Sequence, residues 1–228
     1  MKNIIIAMPR ISRPVAVGYP HHITQRGNYR QKIFESDVDY LQYLQWLQQY
    51  SRQYLLKVWA YCVMSNHVHF IAVPMESTSL AKTFHVLHMR YSQYFNQNKG
   101  TGGHLWQGRF YSCALDEQHL YAAVRYVENN PVSAKIVEKP QDYKWSSARS
   151  HVYKEADTVL SRDCYLTEQI QDWLGYLEEK EDEGMNNTIR SNTRTGRPCG
   201  DEGFIETIEG IVGRRLKAMP VGRPKKAR

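Results

Sequence analysis

Residues 55–74, LLKVWAYCVMSNHVHFIAVP, constrain this chain more than any other stretch. Two runs rich in β-branched and aromatic residues, 55–63 and 67–73, flank the short connection Met64-Ser65-Asn66, and Pro74 stops the second run. Runs of this length and composition around a tight turn predict a β-hairpin with buried faces. The second strand opens with His67-Val68-His69. Side chains alternate across a strand, so the two imidazoles share a face roughly 6.6–6.8 Å apart while Val68 points to the apolar side.

The rest of the chain supplies elements around that hairpin. Residues 19–26 read as a strand closed by a Gly27-Asn28 turn. Residues 37–53 carry Tyr40, Leu41, Leu44 and Leu47 at helical spacing behind Ser36 or Asp37 as a cap. Residues 78–98 read as a second helix, with Leu80, Phe84, Leu87, Met89, Tyr91 and Tyr94 as its apolar set. Residues 100–103 form a loop, and 104–114 are expected to be extended, interrupted at Gly108. Asp116 caps a helix over 117–130 that Pro131 ends. The order β-α-β-β-α-β-α predicts an α+β domain, an antiparallel sheet flanked by helices. Two further helices are expected over 146–153 and 165–180, a charged linker over 178–187, and a last helix over 201–218. The organisation is then an arm at 1–14, a main domain at 15–155, a helical extension and linker at 156–187, and a basic tail at 188–228.

Charge distribution bears on partners. The 228 residues carry a net charge of +7, but from Asn186 onward ten basic residues face four acidic ones, leaving +1 for everything before. A basic tail of this kind seeks phosphate backbones or simply solubilises the chain. No apolar run reaches the roughly 18–20 residues of a membrane span. The first residues lack the apolar stretch of a signal peptide, so a cytoplasmic protein is expected. Cys62, Cys113, Cys164 and Cys199 show no CxxC spacing, which argues against a zinc ribbon and for reduced thiols.

Three features bear on chemistry. The first is the His67/His69 pair, which can converge on one cation or can be two ordinary hydrogen-bonded histidines. The second is Tyr126-Val127-Glu128-Asn129-Asn130. On a helix, Tyr126 and Asn130 share a face. A phenol with a pKa near 10 attacks phosphorus only if the phosphate is polarised and the geometry is in line. Asn130 offers an amide oxygen as a third ligand. Two imidazoles and one amide suit Mn²⁺ in affinity and Mg²⁺ in abundance. The alternative for Tyr126 is a packed aromatic. The third is a mixture of cations, amides and aromatics in residues 25–30 and 106–111, with Arg26, Asn28, Arg30, Gln107 and Arg109 as candidate DNA contacts. The alternative is a glycine turn with solvated arginines and a core Trp106.

The blocks HHITQRGNYRQKIF, YCVMSNHVHFIAVP, LWQGRFYS and YVENNPVSAKIV, in this order, resemble the REP-associated tyrosine transposases, single-tyrosine enzymes of the bacterial HUH class. The resemblance runs from about Tyr19 to Tyr153. It implies a ferredoxin-like HUH fold, His67 and His69 as the metal-binding pair, Asn130 as the amide ligand and Tyr126 as the nucleophile. The implied reaction is cutting and rejoining of single-stranded DNA through a 5′-phosphotyrosine at hairpins of repetitive extragenic palindromes. The implied enzyme acts as a monomer or homodimer. In the tail, Thr195-Gly196-Arg197-Pro198 and Val221-Gly222-Arg223-Pro224-Lys225-Lys226 are similar to AT-hook cores, so Arg197, Arg223, Lys225 and Lys226 are expected to grip hairpin DNA. Rival readings are a DNA- or RNA-binding regulator on the same fold without catalysis, a relaxase, and a water-using metal phosphoesterase. The last lacks a carboxylate cluster, since Glu128 faces away from Asn130 on their helix.

Overall fold

A computed structural model gives the structure, which describes residues 13–217. Arg223, Lys225 and Lys226 lie outside the described residues. Four strands form one sheet: β1 (His21–Arg26), β2 (Leu56–Met64), β3 (His67–Pro74) and β4 (Tyr111–Ala114). Their order is β2-β3-β1-β4, with every neighbouring pair antiparallel. The hairpin of residues 55–74 therefore forms one half of the sheet, with β2 at the edge and β3 paired centrally with β1. Helices α1 (Asp37–Gln53) and α2 (Ser79–Lys99) join these strands and pack together on one face, where Phe70 meets Phe84 at 5.2 Å between ring centres.

Register decides what the other face presents. Thr24 pairs with His69, Arg26 with His67, and His22 with both Ile71 and Cys113. Directly opposed residues share a face, so His22, Thr24, Arg26, His67 and His69 stand together. This face is covered by α3 (Glu117–Glu128), which leads into the short turn α4 (Asn130–Ser133), and by α8 (Glu183–Thr195). Between them come α5 (Ala148–Tyr153), α6 (Leu166–Gln169) and α7 (Trp173–Glu178), and α9 (Glu202–Val212) follows α8.

Five expectations change. The last helix, expected over 201–218, ends at Val212, where the left-handed Gly213 (φ 66°) closes it. Of residues 104–114, only Tyr111–Ala114 is a strand. The preceding segment is a loop anchored by the buried Leu105, Trp106 and Phe110. The helix over 117–130 ends at Glu128, and Pro131 sits in the first turn of α4, where its missing N–H costs nothing. The helix expected over 165–180 is two short helices. Part of the expected charged linker is the start of α8: Asp182 caps it by accepting from the Met185 N–H at 3.0 Å, and Ile189 and Thr193 are buried against the sheet. The charged composition belongs to the solvent side of an amphipathic helix. The turn after β1 needs its glycine, since a Cβ on Gly27 would meet Gln31 O and Ile33 Cγ2 at 2.8 Å each. That close approach lets the Gly27 N–H donate to Asn66 O across the hairpin end.

Candidate active site

Hydrogen bonds around the two histidines fix their protons. Asn66 Nδ2 donates to Arg30 O at 3.1 Å, which turns its Oδ1 towards His67 Nδ1 at 2.6 Å. Nδ1 of His67 therefore carries the hydrogen, and its Nε2 presents a lone pair. That lone pair faces Asn130 Oδ1 at 3.3 Å. Burial, and then the Arg26 charge, lower the His67 pKa to about 4, so the ring stays neutral near pH 7.

His69 is set by a longer relay. Thr193 Oγ1 donates to Ile189 O at 2.7 Å, which spends its only hydrogen. It therefore accepts from His22 Nδ1–H at 2.7 Å. His22 Nε2 in turn accepts from His69 Nδ1–H at 2.9 Å. The remaining nitrogen of His69, Nε2, is left with a lone pair. Burial first, then the cost of sharing the site with a second protonated ring at His67 and with Arg26 and Arg190, holds the His69 pKa well below its ordinary value. The His67 and His69 rings stand edge to face, 5.1 Å apart.

Tyr126 joins them from α3. Its ring lies 5.5 Å from that of His69 and 5.9 Å from that of His22, edge-on to both. The other tyrosines that could compete are elsewhere. Tyr121 bonds to Gln169, Tyr143 donates to Val63 O at 2.9 Å, and Tyr111 is exposed on the edge strand. Glu128, between Tyr126 and Asn130, points the other way. Its carboxyl is fully buried and accepts from Ser147 at 2.5 Å and Trp173 Nε1 at 2.8 Å, with His151 Nδ1 at 2.6 Å. This tether anchors the end of α3 and with it the two residues on the opposite side.

Two imidazole lone pairs and an amide oxygen suit a divalent cation. His67 Nε2 and Asn130 Oδ1 are both acceptors, and acceptors this close repel unless a cation lies against them. Among the described residues, no group of three or more His, Cys, Asp or Glu side chains is placed to hold a metal. The candidate donor set depends instead on the amide.

The expected DNA contacts fall in different places. Arg26 is exposed on the site's own face, close enough to depress His67. Asn28, Gln107 and Arg109 line one groove of about 1030 Å³ beside α2, together with Arg13, Lys82 and His104. None of its lining residues is acidic. The Arg13 guanidinium lies 4.0 Å over the Phe110 ring, and burial together with the Arg109 charge lowers its pKa to about 10. Gln107 N–H donates to Arg26 O, so this loop runs along the end of β1 next to the histidine face. Arg30 is exposed outside the groove. Arg197 is exposed too, but Gly196 is left-handed (φ 76°) and closes α8, while Asn192 Nδ2 donates to Pro198 O. This Gly-Arg-Pro segment is a helix cap and not the extended strand that an AT-hook requires.

His22, Thr193 and Arg190 are the site neighbours that the sequence does not single out. His22 is legible only once the β1–β3 register is known. Thr193 and Arg190 come from α8, whose charged residues conceal a packed helix.

Residues 17–130 match the family described as IS200-like transposases. A solved structure of a REP-associated tyrosine transposase bound to a REP hairpin is similar at 20% identity and a TM-score of 0.52, covering 68% of this chain and 93% of that one. A putative transposase from Deinococcus radiodurans R1 is similar at 17% identity over 53% of this chain and 97% of that one. Its TM-score of 0.38 is too low to carry any argument. No curated protein matches the sequence.

Proposed function

This chain belongs to the IS200-like transposase family, and on that premise we propose that it is a metal-dependent enzyme that cuts and rejoins single-stranded DNA with Tyr126 as nucleophile. The observation that carries this reading is the convergence of His67 Nε2 and Asn130 Oδ1 at 3.3 Å beside the Tyr126–His69 ring contact.

His67, His69 and Asn130 would hold Mg²⁺ or Mn²⁺. Bound there, the ion supplies Lewis acidity to a scissile phosphate. The chain's own residues do the rest. Asn66 and the Thr193–His22 relay keep the ligand lone pairs facing inward. The Tyr126 oxygen attacks phosphorus and gives up its proton. The bond from phosphorus to the DNA 3′ oxygen breaks, and that oxygen takes up a proton. A phosphodiester replaces a phosphodiester, so a 3′-hydroxyl can reverse the step without outside energy.

The substrate we assign is a single-stranded DNA hairpin of the repetitive extragenic palindrome kind, on analogy with the ligand of the similar solved structure. The acid-free groove holding Arg13, Lys82 and Arg109 beside Trp106 and Phe110 supports it, since cations track phosphates and rings stack bases. Residues 218–228 would add charge on the hairpin stem through Arg223, Lys225 and Lys226. Deleting them should flatten the salt dependence of hairpin binding, and an unchanged salt slope would reject that role. Among the described residues, no helix is long and apolar enough to cross a membrane.

The test is a denaturing gel of wild type and Tyr126→Phe with labelled hairpin oligonucleotides copied from the source genome's repeats, with Mn²⁺, Mg²⁺ or chelator. The expected result is a metal-dependent covalent band that the variant lacks. A band retained by Tyr126→Phe would move the nucleophile elsewhere. Tight binding without a band would favour a regulator that binds nucleic acid and does no chemistry.

A further inference from the structure

Arg190 enters the site from α8, outside the residues 17–130 that match the family. Its Nε–H donates to the Tyr126 hydroxyl at 3.4 Å, and its guanidinium carbon stands 4.9 Å from the centre of the same ring. Nη1 donates to Asn187 Oδ1 at 3.0 Å, one turn back on the helix. Among the described residues no carboxylate pairs with it. Its charge is therefore not neutralised where it meets the hydroxyl.

The helix that carries it is fixed. Thr193, three residues on and so on the same side of α8, is locked between Ile189 O and His22. Ile189 is fully buried. Rotating α8 so as to carry the Arg190 backbone away from Tyr126 would break the relay that orients His69.

We propose that Arg190 is a catalytic residue that stabilises negative charge on the Tyr126 oxygen, both as it attacks and as it leaves. This rests on the reading of Tyr126 as nucleophile. In the forward step the phenol O–H bond is lost, the Tyr126 oxygen bonds to phosphorus, and the released DNA 3′ oxygen gains a proton. In the reverse step the 3′ oxygen returns and the tyrosine oxygen departs carrying charge. A guanidinium stays protonated throughout, so Arg190 contributes charge and a hydrogen bond while the proton moves elsewhere. Placed before the reaction begins, such a donor needs no reorganisation as charge develops. It also restrains the ring beside His69.

The experiment uses the full chain with Mn²⁺ and a labelled repeat hairpin. Arg190→Lys, Arg190→Gln and Arg190→Ala are compared with wild type. Single-turnover rates of covalent attachment and of rejoining are read alongside hairpin affinity in chelator and thermal melting. We expect Arg190→Gln to slow both directions by about 100-fold or more with hairpin affinity and melting unchanged. Arg190→Lys should retain much of the rate, and added guanidinium ion should restore part of it to Arg190→Ala. Rates equal to wild type would overturn the assignment. So would a loss of affinity by the same factor as the rate, which would make Arg190 a phosphate clamp. A rate loss that tracks lowered melting and resists guanidinium would leave only a structural role and also overturn it. If wild type forms no covalent product, the nucleophile and Arg190's role fall together. If wild type reacts and the variants match it, Arg190 alone is rejected.

Discussion

The proton on His69 is placed by Thr193 and His22, through hydrogen bonds of 2.7 and 2.9 Å. Thr193→Val keeps the shape and removes the acceptor for His22 Nδ1–H. Leaving that buried donor unpaired should cost about 1–3 kcal/mol of stability. It should also weaken Mn²⁺ binding by about 10–100-fold, the usual effect of losing an outer partner of a ligating histidine. Titration calorimetry with Mn²⁺ in the absence of DNA checks this, and an unchanged affinity would show that His69 is oriented without the relay. Tyr126→Phe is the opposite kind of change. The hydroxyl has one long hydrogen bond, from Arg190, so folding should shift by less than about 1 kcal/mol while covalent attachment disappears.

At the scale of elements, the end of α3 depends on Glu128. Three donors from two other elements and a loop converge on its buried carboxyl. Glu128→Ala would strand all three and should destabilise the fold by about 3–5 kcal/mol. Glu128→Gln should cost less, because an amide oxygen still accepts. Urea denaturation ranks the two, and equal costs would mean that packing, not acceptance, sets the contribution. Helix α8 is the second dependent element. Ile189→Ala opens a cavity under it and should cost about 2–4 kcal/mol. Because Arg190 and Thr193 ride on the same helix, adduct formation should fall more steeply than stability in that variant. A variant that is destabilised yet reacts at the wild-type rate would show that α8 does not need its seat on the sheet.

Across the whole molecule, buried neutral histidines set the response to acid. His21 Nδ1–H donates to Tyr19 O and its Nε2 accepts from Ala16 N–H, an arrangement that a second ring proton would break. Burial lowers its pKa from 6.5 to about 4, and burial lowers that of His88 to about 3. Between pH 6.5 and about 4 the unfolded chain takes up protons that the folded chain refuses. Stability therefore falls as pH drops through that window. Urea midpoints measured from pH 7 to pH 4.5 should decline steadily, and a flat profile would mean that these rings are already charged in the folded state.

The hairpin of residues 55–74, the helices over 37–53 and 78–98, and the candidate set His67, His69, Tyr126 and Asn130 were legible in the sequence because they rest on local rules. A strand places alternate residues on one face, and a helix brings residues four apart together. Partners distant in sequence obey no such rule. His22 reaches His69 only because β1 pairs with β3 in a particular register, and nothing near residue 22 sets that register. The same holds for α8, whose glycine and charges read as a linker until Ile189 and Thr193 are seen buried on the sheet. Asn28, Gln107 and Arg109 share a groove because the loop before β4 crosses the end of β1. The sequence by itself determined the α+β class and offered His67, His69, Tyr126 and Asn130 as candidates, since periodicity and side-chain type are written locally, while the family resemblance singled that set out. The tertiary structure alone decided which nitrogen faces the candidate cation site and which cation meets Tyr126, because those depend on long-range pairing and on water excluded by packing.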